Sequence, residues 1–186
     1  ELVAVCSGFD LPVPVEVIVH ALGIEYQDWI EACSSGQPLW GLLYDETFGN
    51  SESFAYRTRN EVVTSVLLKL MNGGVSSKMG EFRRLKDILK TCSIGGPIYR
   101  EMASSILLRK KKELKKRFTY DQGLELYDIA ISALPYEDKA LVHHRGLWIR
   151  DGGPVNVAYE AIEKALSVED YPFSDRHESQ GNIHTS

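Results

Sequence analysis

Arginine, lysine and asparagine supply the polar chemistry that stands out in this chain, and they gather in two places. Arg57 and Arg59 flank Thr58, and Asn60 follows directly. On a strand, alternate residues share one side, so the two guanidiniums can fork together onto a carboxylate or a phosphate. Asn60 carries an amide that can donate a hydrogen bond but has no titratable charge. The second place is residues 109–117, RKKKELKKR, with Arg109, Lys110, Lys111, Lys112, Lys115, Lys116 and Arg117. Such a run meets nucleic acid or an acidic partner if its cations converge, and is otherwise a solvated helix face.

Other chemistries lack their residues. The sequence holds no G-x-x-x-x-G-K-[ST] phosphate loop and no G-x-G-x-x-G. It has no H-E-x-x-H, no paired cysteine spacing and no G-x-S-x-G. His143 and His144 are adjacent, and neighbouring helical residues point about 100° apart, so they cannot chelate one metal from one face. Glu125 with Asp128, and Glu160 with Glu163, read as solvated helix faces, since nothing beside them desolvates a carboxyl. The expectation is no catalytic residue, no metal and no cofactor within these residues.

Composition sets the frame. The 186 residues are 44% hydrophobic and 25% charged, as in an ordinary soluble protein. No apolar run reaches the roughly 18 residues of a membrane span, and residues 1–22 lack the basic start of a signal peptide. Three widely spaced cysteines, Cys6, Cys33 and Cys92, fit small buried thiols in a reducing compartment, so a cytoplasmic location is expected. The net charge of −5 does not favour nucleic acid, although the charge is uneven, with acids gathered in 125–138 and 160–175. The abrupt apolar start, LVAVC, reads as a piece of a longer protein.

The elements that must hold these residues follow from period and punctuation. Residues 2–8 form the end of a helix stopped by Ser7-Gly8. A helix follows Pro14 with Val15, Ile18, Val19 and Leu22 inward and ends at Gly23. Residues 26–32 form a short helix with Trp29 and Ile30 inward. Leu39, Trp40, Leu42, Leu43 and Tyr44 suit a buried strand, residues 45–53 an exposed hairpin tip. Phe54, Tyr56 and Thr58 then alternate with Ala55, Arg57 and Arg59, which is strand period; the first set should face the core and the arginines point away. From Asn60 the period becomes helical, with Val62, Val63, Val66, Leu67 and Leu70 as one stripe. Further helices are expected over 81–92, 98–116, 120–134, 139–150 and 157–168. Ala130 and Ala165 are 35 residues apart, as are Tyr127 and Ile162, close to the roughly 34-residue period of tetratricopeptide repeats. Gly146 stands where two helices would approach closely, and Ala158, Ile162, Ala165 and Leu166 would face inward. A plain helical hairpin is the alternative to a repeat.

The order Gly41-Leu42-Leu43, polar tip, Tyr56-Arg57-Thr58-Arg59, apolar helix resembles the winged-helix segment of STAND-type signal-transduction ATPases, as does the opening LVAVCSGFDLPVPVEVIVHALG. The resemblance covers residues 1–72, and the repeat-like tail adds the family's order of parts. It implies a mainly α protein: a winged helix with a two-stranded wing over 1–72, a helical connector over 73–117, and the start of a tetratricopeptide-like α-α superhelix over 118–186. It implies a non-catalytic regulatory piece linking a nucleotide-binding domain to ligand-sensing repeats, with ATP or ADP and Mg in an upstream domain. Partners would be that domain in cis and proteins at the repeats, with no membrane. Arg57, Arg59 and Asn60 would make the contact to nucleotide or domain. Where the family commonly has His, this chain has Asn60, which removes a titratable sensor of phosphate. The rival is a DNA-reading winged helix using the wing arginines and the 109–117 run, against which residues 26–32 offer Asp28 and Glu31 and no cation.

Overall fold

Short apolar segments separated by Gly and Pro fold here into helices around one small sheet. The computed structural model describes residues 1–49, 53–71, 78–153 and 155–166. The chain begins with α1 (Leu2–Ser7), then β1 (Val13–Pro14), α2 (Val15–Leu22) and α3 (Tyr26–Cys33). A hairpin of β2 (Leu43–Thr47) and β3 (Phe54–Thr58) leads to α4 (Glu61–Met71) and α5 (Lys78–Lys90). After a 3-10 turn at Thr91–Ile94 come α6 (Pro97–Ser104), a π turn (Ser105–Arg109) and α7 (Lys111–Arg117). The described chain closes with α8 (Tyr120–Ala133), α9 (Lys139–Gly152) and α10 (Val155–Leu166).

The sheet has three antiparallel strands in the order β1-β3-β2, so the expected two-stranded wing gains a strand. Val13 pairs with Tyr56 and Pro14 with Ala55. Pro14 lacks an N–H and therefore sits on an edge strand, and it also serves as the N-cap of α2. Gly23 closes α2 with φ 65°, a left-handed turn suited to glycine.

Several local expectations change. Residues 39–42 are turns, and the strand begins only at Leu43. Gly41 at φ 80° breaks the extended run, which leaves Trp40 exposed. The tip is shorter than expected: Asp45 to Thr47 pair across with Tyr56 to Phe54, Phe48 is buried, and 50–52 lie outside the described residues. Phe54 is exposed while Ala55 is fully buried, because β3 is the middle strand and packs against α1, α2 and α4. On α4, Thr64 and Leu68 are the buried positions, and Val62 and Leu70 are both 71% exposed. The buried Thr58 and Thr64 hydroxyls hydrogen-bond, which turns that side of α4 inward and the valine stripe outward.

The single helix expected over 98–116 is divided. The π turn widens the backbone, and the Leu107 carbonyl accepts from the Tyr127 hydroxyl at 2.7 Å. Lys110, at φ −104° and ψ 21°, then offsets α7 from α6.

One hydrophobic core runs from Leu2 in α1 through Leu85 and Leu89 in α5 to Tyr127 in α8 and Trp148 in α9. Phe118 stacks between Phe9 (6.3 Å) and Phe82 (5.7 Å), tying the ends of α1, α5 and α7 together. At the α8–α9 contact the close approach is at Gly123, against the Trp148 indole. Thr119 and Gln122 form a capping box on α8, and buried Asp138 caps α9. Gly146 is buried in α9. The side chains of Ile162 and Ala165, on which the 35-residue spacing rests, and of Ala158 lie outside the described residues.

Candidate functional site

The β3–α4 corner, the turn after α1 and one side of α7 enclose a groove of about 660 Å³. It brings Arg57, Arg59 and Asn60 together with Lys110 and Arg117 from the basic run. Leu68, Phe9 and Thr58 supply its apolar and buried floor.

The three residues at the corner have different roles. Arg57 is held within the fold. Its Nε donates to Glu46 at 2.7 Å, and its guanidinium also bonds the Asp10 carboxylate. Partial burial works against this charge, yet the bonds from Glu46 and Asp10 outweigh it and leave the Arg57 pKa raised. Arg59 is exposed and has no acidic partner among the described residues, and the same holds for Lys69 on α4. Asn60 caps α4: its Oδ1 accepts from the Val63 N–H at 2.9 Å. A helix begun by Asn is favoured because the side chain satisfies an otherwise orphaned donor. Ser7 braces the corner from α1 by accepting the Thr58 N–H at 3.0 Å.

Asp10 was not legible as a site residue. It is the one described non-glycine residue with positive φ, at 55°, and Asp tolerates that region. It joins Arg57 to Lys110, whose Nζ is 3.6 Å away.

The basic run does not converge on solvent. Lys110 faces Asp10, and Arg109 lies 3.9 Å from Glu101. Arg117 bonds the Gly8 carbonyl and the buried Glu81 carboxylate at 3.1 Å, with its guanidinium over the Phe9 ring at 4.3 Å. Lys111 and Lys115 both hold Asp151, at 3.1 and 2.6 Å. Burial works to raise the Asp151 pKa, but Lys115, Arg150 and Lys111 together bring it down to about 2. Burial lowers the Lys111 pKa, with Asp151 opposing it. Only Lys112 and Lys116 of the seven stand exposed without an acidic partner among the described residues.

The remaining flagged residues take structural places. His143 is buried and His144 half-buried, with rings edge-on at 5.8 Å. Glu125 pairs with Lys86 and Asp128 with Arg145. Glu160 and Glu163 are exposed on α10. The thiols are free, and burial pushes Cys6 up to about 12 and Cys92 up to about 11, which leaves both inert as nucleophiles. Among the described residues no His, Cys, Asp and Glu group could hold a metal ion, and no helix is long and apolar enough to cross a membrane. No family model, no curated protein and no solved structure matches this chain.

Proposed function

We propose that the chain is a winged-helix and helical-repeat segment of a STAND-type ATPase switch, and that it couples a nucleotide-binding domain to sensing repeats. The observation that carries the reading is the β3–α4 corner. Helix, strand, two helices and hairpin in the order α1-β1-α2-α3-β2-β3, with β1 beside β3, is the arrangement a winged helix needs. Arg59 at the end of that hairpin and Lys69 on α4 present two cations without acidic partners among the described residues. Beside them α4 presents Val62, Val66 and Leu70 to solvent. An apolar stripe bordered by unpaired cations is suited to the face of a neighbouring domain. Arg57 belongs to the brace behind this face, and Asn60 to its helix cap. Helices α8 to α10 are the start of a tetratricopeptide-like array that meets protein partners.

Two observations weigh against the DNA-reading alternative. Helix α3, which would enter the groove of DNA, shows Asp28 and Glu31 to solvent and carries no cation. Five of the seven cations in the basic run are already engaged by carboxylates of the same chain.

The test uses the full-length polypeptide that contains this chain. Release of a fluorescent ADP analogue is measured for wild type, Arg59→Ala and Lys69→Ala. The variants should change the release rate by about fivefold or more, as interdomain coupling does, while the melting midpoint of residues 1–186 stays within about 1 °C. A full-length protein that binds no nucleotide, or release that ignores both variants, overturns the reading. A footprint on a defined DNA site lost in Arg59→Ala would establish the alternative.

A further inference from the structure

We propose that the outer face of α3, with the turn before it, is a docking surface for a basic, amphipathic protein segment. This face shares no residue with the groove and does not depend on the switch reading.

Helix α3 has eight residues, and only Trp29 among them is buried, edge-on to Tyr56 with ring centroids 5.3 Å apart. So short a helix is far below the length that is stable alone. Everything from Leu22 to Asp28 is exposed, including Leu22, Ile24 and Tyr26. At the far end of the helix the Leu39 N–H bonds the Ala32 carbonyl at 3.3 Å, and the next residue, Trp40, is 57% exposed. Four large apolar side chains thus border a single helix that its own fold covers on one side only.

The charge decides what can cover the other side. Glu25, Asp28 and Glu31 are exposed and have no cationic partner among the described residues. Glu25 and Asp28 sit at the helix N-terminus, where the backbone dipole favours carboxylates. Glu31 lies in the last turn, where the same dipole opposes it, so helix stability does not account for it. The first 56 residues hold nine carboxylates and no lysine or arginine; Glu1, Asp10 and Glu46 are ion-paired, whereas the three at α3 have no such partner among the described residues. A phosphate backbone or an anionic membrane would be repelled from this end of the chain. A segment with Lys or Arg for the carboxylates and apolar side chains for Leu22, Ile24, Tyr26 and Trp40 meets both demands, which is the pattern of an amphipathic helix laid on a groove or face.

The probe is a synthetic amphipathic helix of leucine and lysine, about 15 residues long, fluorescently labelled and titrated with the full chain. Its leucine–glutamate counterpart is the control. Saturable binding of the lysine peptide is expected, weakened about tenfold or more between roughly 20 mM and 500 mM salt as charges are screened. Ile24→Ser with Tyr26→Ser should weaken it about tenfold. Glu25→Lys with Asp28→Lys and Glu31→Lys should abolish it and allow the glutamate peptide to bind. These residues are exposed, so circular dichroism should show both variants folded. Glu160→Lys with Glu163→Lys, at exposed positions of α10, should leave binding unchanged. Loss of binding in that α10 variant, equal binding of both peptides, no saturation at about 1 mM, or duplex DNA competing for the same face overturns the proposal.

Discussion

Gly123→Ala is the sharpest single change to make in the helical half. Helix propensity alone predicts that alanine inside α8 gains about 1 kcal/mol over glycine. The packing predicts the opposite sign. A Cβ at this position would fall inside the benzo edge of Trp148, with Cη2 only 2.6 Å away and Cζ2 and Cε2 in contact as well. The indole has little freedom to yield: it is buried, its Nε1 donates to the Tyr120 carbonyl at 3.0 Å, and Tyr127 packs against it with ring centroids 5.9 Å apart. Overpacking costs about 1–3 kcal/mol, and pulling Nε1 from its carbonyl adds about 1–2 kcal/mol. After the propensity gain the net is a loss of about 2 kcal/mol.

Urea melts followed by circular dichroism at 222 nm should show a lower midpoint with an unchanged slope. The thermal midpoint should fall by about 4–8 °C. Trp148→Phe removes the benzo edge, so the two changes should couple: Gly123→Ala should cost at least about 1 kcal/mol less in the Trp148→Phe background. A Gly123→Ala protein more stable than wild type, or effects that add within about 0.5 kcal/mol, would refute the packing argument and with it the α8–α9 contact.

Gly146→Leu should destabilise by about 1–3 kcal/mol, because Gly146 is buried within α9; an unmoved midpoint would remove it from any helix contact. Tyr56→Ala loses the edge-to-face contact with Trp29 and should cost about 2–4 kcal/mol. Arg57→Ala breaks one ion pair to largely exposed Asp10 and one to partly covered Glu46, and should cost about 1 kcal/mol in the same melts. Asp151 is ionised down to about pH 2 in the fold and to about 3.8 outside it, so its contribution is complete above about pH 4 and disappears as pH falls towards 2. With solvent screening that contribution is about 1 kcal/mol, and Asp151→Asn should flatten the acid limb of stability against pH over that window.

Local signals were legible where one residue type can do one thing. Gly23 ends α2 and Asn60 starts α4, and each boundary came from backbone chemistry within a few residues. Strand β1 was not legible, because Val13-Pro14 reads equally well as the entry to a helix and its ladder partners lie more than forty residues later. The phase of α4 was not legible for a related reason. Its apolar residues form a stripe, but the Thr58–Thr64 hydroxyl pair fixes which side turns inward, and a polar residue facing the core gives no hydrophobic period. At the candidate site, Arg57, Arg59 and Asn60 stand out by type and spacing, but not the brace that holds Arg57 or the cap that Asn60 forms. The arrival of Lys110 and Arg117 at the same groove depends on the π turn and the Phe118 junction, which no short window shows.

The basic run shows why charge read along a chain differs from charge read across a fold. Residues 73–117 hold thirteen cations and four carboxylates, a formal charge of +9. Residues 1–72 hold three cations against ten carboxylates, and residues 118–186 five against twelve, or −7 on each side. The middle segment spends much of its excess on its neighbours. Arg84 pairs with Glu1 and Lys110 with Asp10 on one side. Lys86 pairs with Glu125, Arg100 with the buried Asp138, and Lys111 and Lys115 with Asp151 on the other. Most of these pairs are partly exposed and individually weak. Their common direction matters more than their strength: they join the flanking segments to the central helices and engage cations a polyanion would need. Among the described residues, the acidic, apolar face of α3 and the Arg59–Lys69 edge of the groove stay uncompensated beside apolar surface, whereas Lys112 and Lys116 stand exposed with their charges unpaired on α7.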